Sequence, residues 1–325
     1  MADHSRIIFL HDMGIESPEK YGGKAINLAR LHREGFRVPD GFSVPCQWFL
    51  DFLNSLPNGQ DLISILESTD DIDTILEKSE ELEELGRNYE MPLDIRHEVS
   101  EAFLQLEHNI DSASVGFSIR SSANVEDSSS ISFAGQAETY LCVRGVDNII
   151  SSIQKTWQSL LSPSSALYLQ SMGIPLSKVR MGVVVQEMIA ADIAGVMFTA
   201  NVVNKDPNQI IIESTWGLGE ALVSGKVIPD TYLLSKKPLQ VKERKLGSKE
   251  VTSEPSAQYD TEGIVYSQTP EVRRKSFTLN DQDVVRVAKT GLEIEGKLGL
   301  YQDIEWCMRD EELIILQSRP VTTMD

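Results

Sequence analysis

The sequence lacks most of what marks a secreted, membrane-bound or nucleic-acid-binding protein. Its 325 residues contain three cysteines, Cys46, Cys142 and Cys307, with no close pair and no metal-ligand spacing. Each lies among apolar residues, so buried, reduced thiols in a cytoplasmic protein are expected. Long apolar runs are missing as well: only Ile7 to Leu10 follow the polar start, too few for a signal peptide, and nothing later approaches a transmembrane span. Positive charge is scarce, 30 Lys and Arg against 49 Asp and Glu, a formal net charge of -19. That balance argues against duplex nucleic acid or a membrane surface as partner, because both present negative charge. A local cluster of cations could still hold one small phosphorylated molecule.

What is present fits a soluble globular protein. Hydrophobic content of 41% and charged content of 24% are ordinary, and the length allows two or more subdomains with a sizeable core. No internal repeat and no disordered linker interrupts the chain.

Tyr21-Gly22-Gly23-Lys24 follows a short first strand, and Ala25, Leu28, Ala29 and Leu31 then share one face of a helix that Gly35 stops. Paired glycines let backbone approach a ligand, and a lysine beside the free N–H groups of a helix start suits phosphate. The spacing is not that of a Walker A loop, and Ala25 stands where Ser or Thr would bind magnesium. An ordinary helix start explains the same residues.

Val38 to Gly41 reads as a turn. Gln47 to about His108 is helical and acidic, with Leu62, Leu66, Ile72, Ile75, Leu76, Leu82 and Leu85 on apolar faces and Glu80, Glu81, Glu83 and Glu84 on a solvated side. Val115 to Arg120 alternates as a strand with Arg120 at its end, a serine-rich loop follows, and Glu138 to Val143 is a second strand. That segment suits a flexible lid over phosphates, or simply a serine-rich hairpin loop. One helix is expected from Val146 to Met172, then strands over Met181 to Met188, Asp192 to Thr199, Ile210 to Glu213 and from Pro229. Gly217 to Glu220 opens a short helix but lacks the Rossmann context. Lys236 to Lys249 reads as a solvated basic hairpin, Gln258 to Lys275 as polar loop, and Asn280 to Gly296 as an amphipathic helix with Val284, Val287, Ala288, Leu292 and Leu298 inward.

The last stretch, Gln302 to Val321, reads as an antiparallel hairpin, with β-branched, aromatic and aliphatic arms around an acidic turn at Arg309 to Glu312. A turn centred on Glu311 sets Glu305 opposite Gln317 and Asp303 opposite Arg319, four polar groups on one face. A turn one residue longer or shorter sends Gln317 and Arg319 to the other face. An acid, an amide oxygen and a guanidinium suit a hard cation with phosphate oxygens attached. An edge hairpin with its polar face in water is the other reading, and these residues alone do not choose between them.

Several spaced motifs occur together and in order: Gly22-Gly23-Lys24, Ser118-Ile119-Arg120-Ser121-Ser122-Ala123, Glu126-Asp127, Ser132 to Tyr140, Val185 to Met188, Ala194 to Thr199, Gly217 to Gly225, Asp303 to Trp306 and Leu316 to Pro320. Together they closely resemble the N-terminal nucleotide-binding domain of the phosphoenolpyruvate synthase and pyruvate phosphate dikinase family, from about Lys20 to Thr322. The Gly-Leu-Gly-Glu and Pro-Asp-Thr-Tyr stretches are more similar to phosphoenolpyruvate synthases and rifampin phosphotransferases than to pyruvate phosphate dikinase itself. The resemblance implies an α+β, ATP-grasp fold with antiparallel-rich sheets, an N-terminal subdomain over 1–190 and a C-terminal one over 191–325, closing on ATP. It also implies a dikinase reaction, in which ATP gives AMP, the β-phosphoryl group goes to a histidine and the γ-phosphate goes to water or inorganic phosphate. By motif, Lys24, Arg120 and Arg319 would hold phosphates, Glu305 and Gln317 would ligate magnesium beside Asp303, Gly135 and Thr139 would belong to the phosphate loop, and Gln186, Glu187 and Met188 would meet the adenine.

The chain departs from the family's pattern in its histidines. The acceptor in the family lies in a Gly-Gly-x-x-Ser-His motif on a separate swivelling domain, whereas His4, His11, His32, His97 and His108 all lie outside such a motif. The last three are expected on helix surfaces. A partner is therefore implied, carrying a phosphohistidine domain and an acceptor-substrate domain. Two other functions fit less of the sequence. A nucleotide sensor without catalysis would have no need of the magnesium ligands, and an ATP-grasp carboxylate ligase would yield ADP and lacks its own motifs here. A rifampin-type antibiotic phosphotransferase stays open within the family itself.

Overall fold

The computed structural model describes residues 6–14, 16–110, 114–124, 139–256, 263–321 and 324. Helices alternate with antiparallel sheet in an α+β arrangement, and the chain divides into two compact units. The first comprises Met1–Ala29, Asp40–Ser112 and Gly116–Glu187; the second comprises Arg30–Pro39, Ala113–Val115 and Met188–Asp325. No helix among the described residues is long and apolar enough to cross a membrane.

The first unit holds β1 (Ile8–Phe9), α1 (Pro18–Tyr21), the start of α2 (Gly23–Arg33), β2 (Gly41–Val44), α3 (Cys46–Ser55), α4 (Gly59–Ser68), α5 (Ile72–Arg87), α6 (Leu93–Asn109), β3 (Ser114–Ala123), β4 (Thr139–Val143), α7 (Val146–Ser159), α8 (Pro163–Ser171) and most of β5 (Met181–Ile189). Its strands run in the order β1-β2-β5-β3-β4. A core of Phe42, Phe49, Phe52, Phe103, Phe117, Trp157, Val183 and Val185 packs between sheet and helices. Phe52 stacks on Trp157 with ring centroids 5.8 Å apart.

The structure departs from expectation at several points in this unit. Val38 to Asp40 has no assigned turn, Gly41 opens β2, and the Asp40 carbonyl accepts from the Glu187 N–H at 2.8 Å. Ile72 is exposed although its spacing puts it on the face of Ile75 and Ser79, because it is the first residue of α5, where the buried stripe has not yet begun. The helix expected over 146–172 is two helices: Ser162 is extended and caps α8 by accepting from the Ser165 N–H, and Pro163 occupies the first turn. Proline cannot donate to the preceding turn and forces its neighbour out of the helical region. Arg120 lies within β3, not at its end, because the strand continues to Ala123.

The second unit contains β6 (Ile193–Phe198), β7 (Gln209–Trp216), α9 (Glu220–Val223), β8 (Asp230–Ser235), β9 (Gln240–Lys245), β10 (Val251–Pro255), β11 (Ile264–Gln268), α10 (Glu271–Arg274), α11 (Asp281–Leu298), β12 (Gln302–Arg309) and β13 (Glu312–Pro320). Six strands form the sheet β13-β12-β6-β7-β8-β9, and every neighbouring pair in it is antiparallel. The period of two separates its faces. One carries Ile304, Trp306, Met197, Ile212 and Tyr232 and meets α11, where Met197 fills the space beside Gly291. The other carries Asp303, Glu305, Val196, Glu213 and Thr231.

Gln258 to Lys275 is not loop throughout. β11 pairs with β10 from Ile264 opposite Pro255 to Gln268 opposite Val251, and α10 follows. β11 is mostly exposed and the buried residues of β10 are polar, Thr252 and Ser253, so the ribbon leaves no hydrophobic alternation to read. The basic segment is solvated along β9, but Lys249 turns inward and is fully buried against Asp230. Asp230 also accepts from the N–H of Gly247 at 2.9 Å and that of Thr278 at 2.8 Å, which satisfies the buried carboxylate. All three cysteines are free and buried, and burial pushes the Cys46 and Cys307 thiols up to about 12.

Candidate functional site

In the first unit, the expected phosphate residues gather where α2 meets β3. Lys24, in the first turn of α2, donates from Nζ to the Ser121 carbonyl at 2.9 Å and lies 3.4 Å from Ser121 Oγ. The lysine is therefore held by the strand rather than loose. Arg120 is the preceding residue along β3, half-buried, and pairs across the sheet with Thr139, the first residue of β4. Three of the predicted residues are thus brought to one end of one strand pair. Gly135 and Glu126-Asp127 lie outside the described residues. Gln186 on β5 is buried and opposite Gly41 of β2; Glu187 and Met188 follow it on the same strand.

Gly22, of the Gly22-Gly23 pair, makes room for protein backbone. Gly22 has φ +79°, and a Cβ there would stand 1.7 Å from the Ser122 carbonyl oxygen. β3 approaches this backbone closely. The Ala25 N–H, expected to be free at the helix start, donates to Ser122 Oγ at 3.1 Å.

In the second unit, β12 and β13 place Asp303 opposite Arg319 and Glu305 opposite Gln317. The route to that pairing differs from the one expected. The turn is two residues, Asp310 and Glu311, with φ of +49° and +64°, one residue tighter than a turn centred on Glu311. Arg309 accordingly faces Glu312 and Trp306 faces Ile315; a bulge between Glu305 and Trp306 then absorbs Leu316 and restores the expected partners beyond it. Leu316 packs beside Ala194, Cys307 and Ile314, which gives the extra residue an apolar seat.

Arg319 donates to Asp303 Oδ2 from Nε at 2.9 Å and from Nη2 at 2.8 Å. Burial pushes the Asp303 carboxyl above the usual carboxylate value; Arg319 opposes that by charge and hydrogen bond, and Glu305 adds to it. Gln317 is buried, and its Oε1 has no hydrogen-bond partner among the described residues. An amide oxygen left without a donor beside a glutamate fits a hard cation, which needs acceptors only. Among the described residues no group of three or more His, Cys, Asp or Glu forms a metal cage. One carboxylate and one amide suit magnesium, which keeps phosphate and water ligands of its own.

Glu213 is a residue that sequence reasoning missed. Val196 lies between it and Glu305 in the register, so all three share a face, and burial alone raises its carboxyl pKa. The signal available was an acid ending the run Ile210-Ile211-Ile212, where a strand buried on both faces would carry none. His97 and His108 are exposed on α6 as expected, whereas His32 is half-buried on α2.

The first unit thus carries a lysine on α2 docked on the strand that holds an arginine, and the second an acid–amide–guanidinium face on its terminal hairpin. The chain belongs to the family described as pyruvate phosphate dikinase, AMP/ATP-binding domain, which matches residues 18–325. It is 32% identical over 320 residues to a probable phosphoenolpyruvate synthase of Methanocaldococcus jannaschii, covering 98% of this chain and 27% of that protein. It is 35% identical to a probable phosphoenolpyruvate synthase of Archaeoglobus fulgidus, covering 98% of this chain and 42% of that protein. With a rifampicin phosphotransferase of Bacillus cereus the identity is 34%, over 93% of this chain and 34% of that protein. The chain thus spans less than half the length of each.

Proposed function

We propose that this chain is the ATP-binding part of a dikinase, built as an ATP-grasp fold with an N-terminal subdomain over 1–190 and a C-terminal subdomain over 191–325. The carrying observation is the polar face of the terminal hairpin, where a buried amide oxygen without a donor stands beside a glutamate and next to an arginine–aspartate pair. Glu305 and Gln317 would hold magnesium, which when bound neutralises phosphate charge and orients the oxygens. Lys24, Arg120 and Arg319 take the phosphates, with Gly135 and Thr139 in the phosphate loop. Gln186, Glu187 and Met188 receive the adenine, and Asp303 fixes the Arg319 guanidinium.

Phosphoryl transfer asks a protein for alignment and charge neutralisation more than for covalent chemistry. The Pα–O–Pβ bridge of ATP breaks and AMP leaves as a nitrogen–phosphorus bond forms on a histidine imidazole, and the Pβ–O–Pγ bridge breaks as the γ-phosphate passes to water or inorganic phosphate. That histidine belongs to a separate domain or subunit, in keeping with the greater length of the relatives. Mixing the chain with a histidine domain and magnesium-ATP, then separating nucleotides and assaying phosphohistidine, tests the reading. AMP and phosphohistidine are expected; ADP as sole product would overturn it.

A further inference from the structure

We infer that Ser122 is a positioning residue for Lys24: its hydroxyl caps α2 from outside the helix and fixes the lysine ammonium against the strand that carries Arg120. The inference rests on the nucleotide reading above and extends it to a residue to which that reading gives no role.

Helix α2 begins at Gly23, and the residue before it, Gly22, has no side chain with which to satisfy the first free N–H groups. Ser122 supplies the missing acceptor. It is fully buried, it sits on β3 at a sequence separation of 97 from Ala25, and its Oγ takes the Ala25 N–H at 3.1 Å. Gly22 makes this possible, since any Cβ there would overlap the Ser122 carbonyl. The neighbouring Ser121, also buried, receives the Lys24 ammonium on its carbonyl. The tripeptide Arg120-Ser121-Ser122 therefore carries one cation, docks a second and anchors the helix from which the second projects.

Lysine is a point charge on a flexible four-carbon stem, so its position is set by what holds its backbone and its head. With the cap present, the ammonium is placed before a phosphate arrives, and little ordering remains to be done on binding. Without the cap, the Ala25 N–H is buried with no acceptor and the first turn of α2 loosens. The expected result is weaker binding of phosphates with no change in recognition of the nucleoside.

The test is a double-mutant cycle on the 325-residue chain, with magnesium-ATP and adenosine affinities measured by calorimetry and folding checked by thermal melting. Ser122→Ala is expected to weaken ATP binding roughly tenfold, the size of a lost helix cap. Adenosine affinity is expected to stay the same, and Ser122→Ala should cost nothing further in a Lys24→Ala background. Unchanged ATP affinity in Ser122→Ala, or an equal loss with and without Lys24, overturns the positioning role while leaving the nucleotide reading intact. If Lys24→Ala alone binds ATP as well as the parent, the nucleotide reading at Lys24 fails and the inference fails with it. Should Ser122→Ala not fold, Ser122→Cys, close in volume and a poor acceptor, carries the same comparison.

Discussion

Glu305 and Gln317 face each other across the terminal hairpin because two departures from a regular ribbon cancel. The two-residue turn at Asp310 and Glu311 shifts the pairing by one residue, and the bulge that takes in Leu316 shifts it back. A one-residue slip in a strand exchanges its faces. With either departure alone, Gln317 would point to the side that α11 covers, and Glu305 would lose its neighbour.

Gln317 holds a buried oxygen with no donor among the described residues, which is a cost to the free protein and which the proposed magnesium site would use. Gln317→Leu is therefore expected to stabilise the ligand-free chain, by about 1 to 2 kcal/mol, the desolvation cost of an unmet buried polar group. The same variant is expected to lose the magnesium dependence of ATP affinity. Opposite changes in melting temperature and in magnesium-dependent binding are the signature to look for; a less stable variant that binds normally removes Gln317 from the metal site.

Arg319 meets Asp303 through both Nε and Nη2, a geometry that lysine cannot reproduce. An arginine at a phosphoryl-transfer transition state contributes on the order of 10³ to 10⁵ in rate. Arg319→Lys is expected to bring AMP formation down by a factor in that range while leaving the fold intact. Near-normal turnover would take Arg319 out of the chemistry.

Burial raises the Glu213 carboxyl pKa above its usual value. A group raised on folding favours the native state fully only below its unfolded pKa, and that contribution is lost as pH rises through the folded pKa. Glu213→Gln is accordingly expected to melt higher than the parent at pH 7. The difference should shrink as pH falls through the carboxylate range, and melting curves across that range check it. A pH-independent difference would mean that ionisation of Glu213 is not the cause.

Lys249 and Asp230 are both fully buried and form an ion pair, with Gly247 and Thr278 completing the aspartate's hydrogen bonds. Removing one partner strands the other charge in the interior. Lys249→Met should cost about 3 to 5 kcal/mol in denaturant unfolding, whereas removing the charge of the solvated Lys242 on β9 should cost almost nothing.

Much of the architecture could be read from local pattern. Strands β5 and β7 carry continuous apolar runs and helices α2 and α11 helical periodicity, and the structure places these elements, with β6 and β8, where expected. The errors fall where the local signal was weak or was overridden. The ribbon of β10 and β11 buries only polar residues, Thr252 and Ser253, and so shows no apolar alternation; the stretch 146–172 hid a break at Pro163, and Lys249 looked like the rest of a solvated basic run until its partner Asp230 was placed beside it. At the candidate site, the residue types of Lys24, Arg120, Glu305, Gln317 and Arg319 were legible, but the Ser121 and Ser122 contacts and the face shared by Glu213 were not. Those depend on residues far apart in the chain meeting across strands.

For this protein, the sequence by itself determined the family, the chemical inventory and the alternation that puts polar residues on one side of the last hairpin, because these are properties of residue type and short spacing. Tertiary structure alone decided how Gln317 comes to face Glu305, that Gly22 makes room for β3, and that Ser122 finishes a helix to which it does not belong. The physical reason is the same in each case: a register, a close backbone approach or a cap supplied from elsewhere is fixed by the packing of distant segments, and no local pattern encodes it.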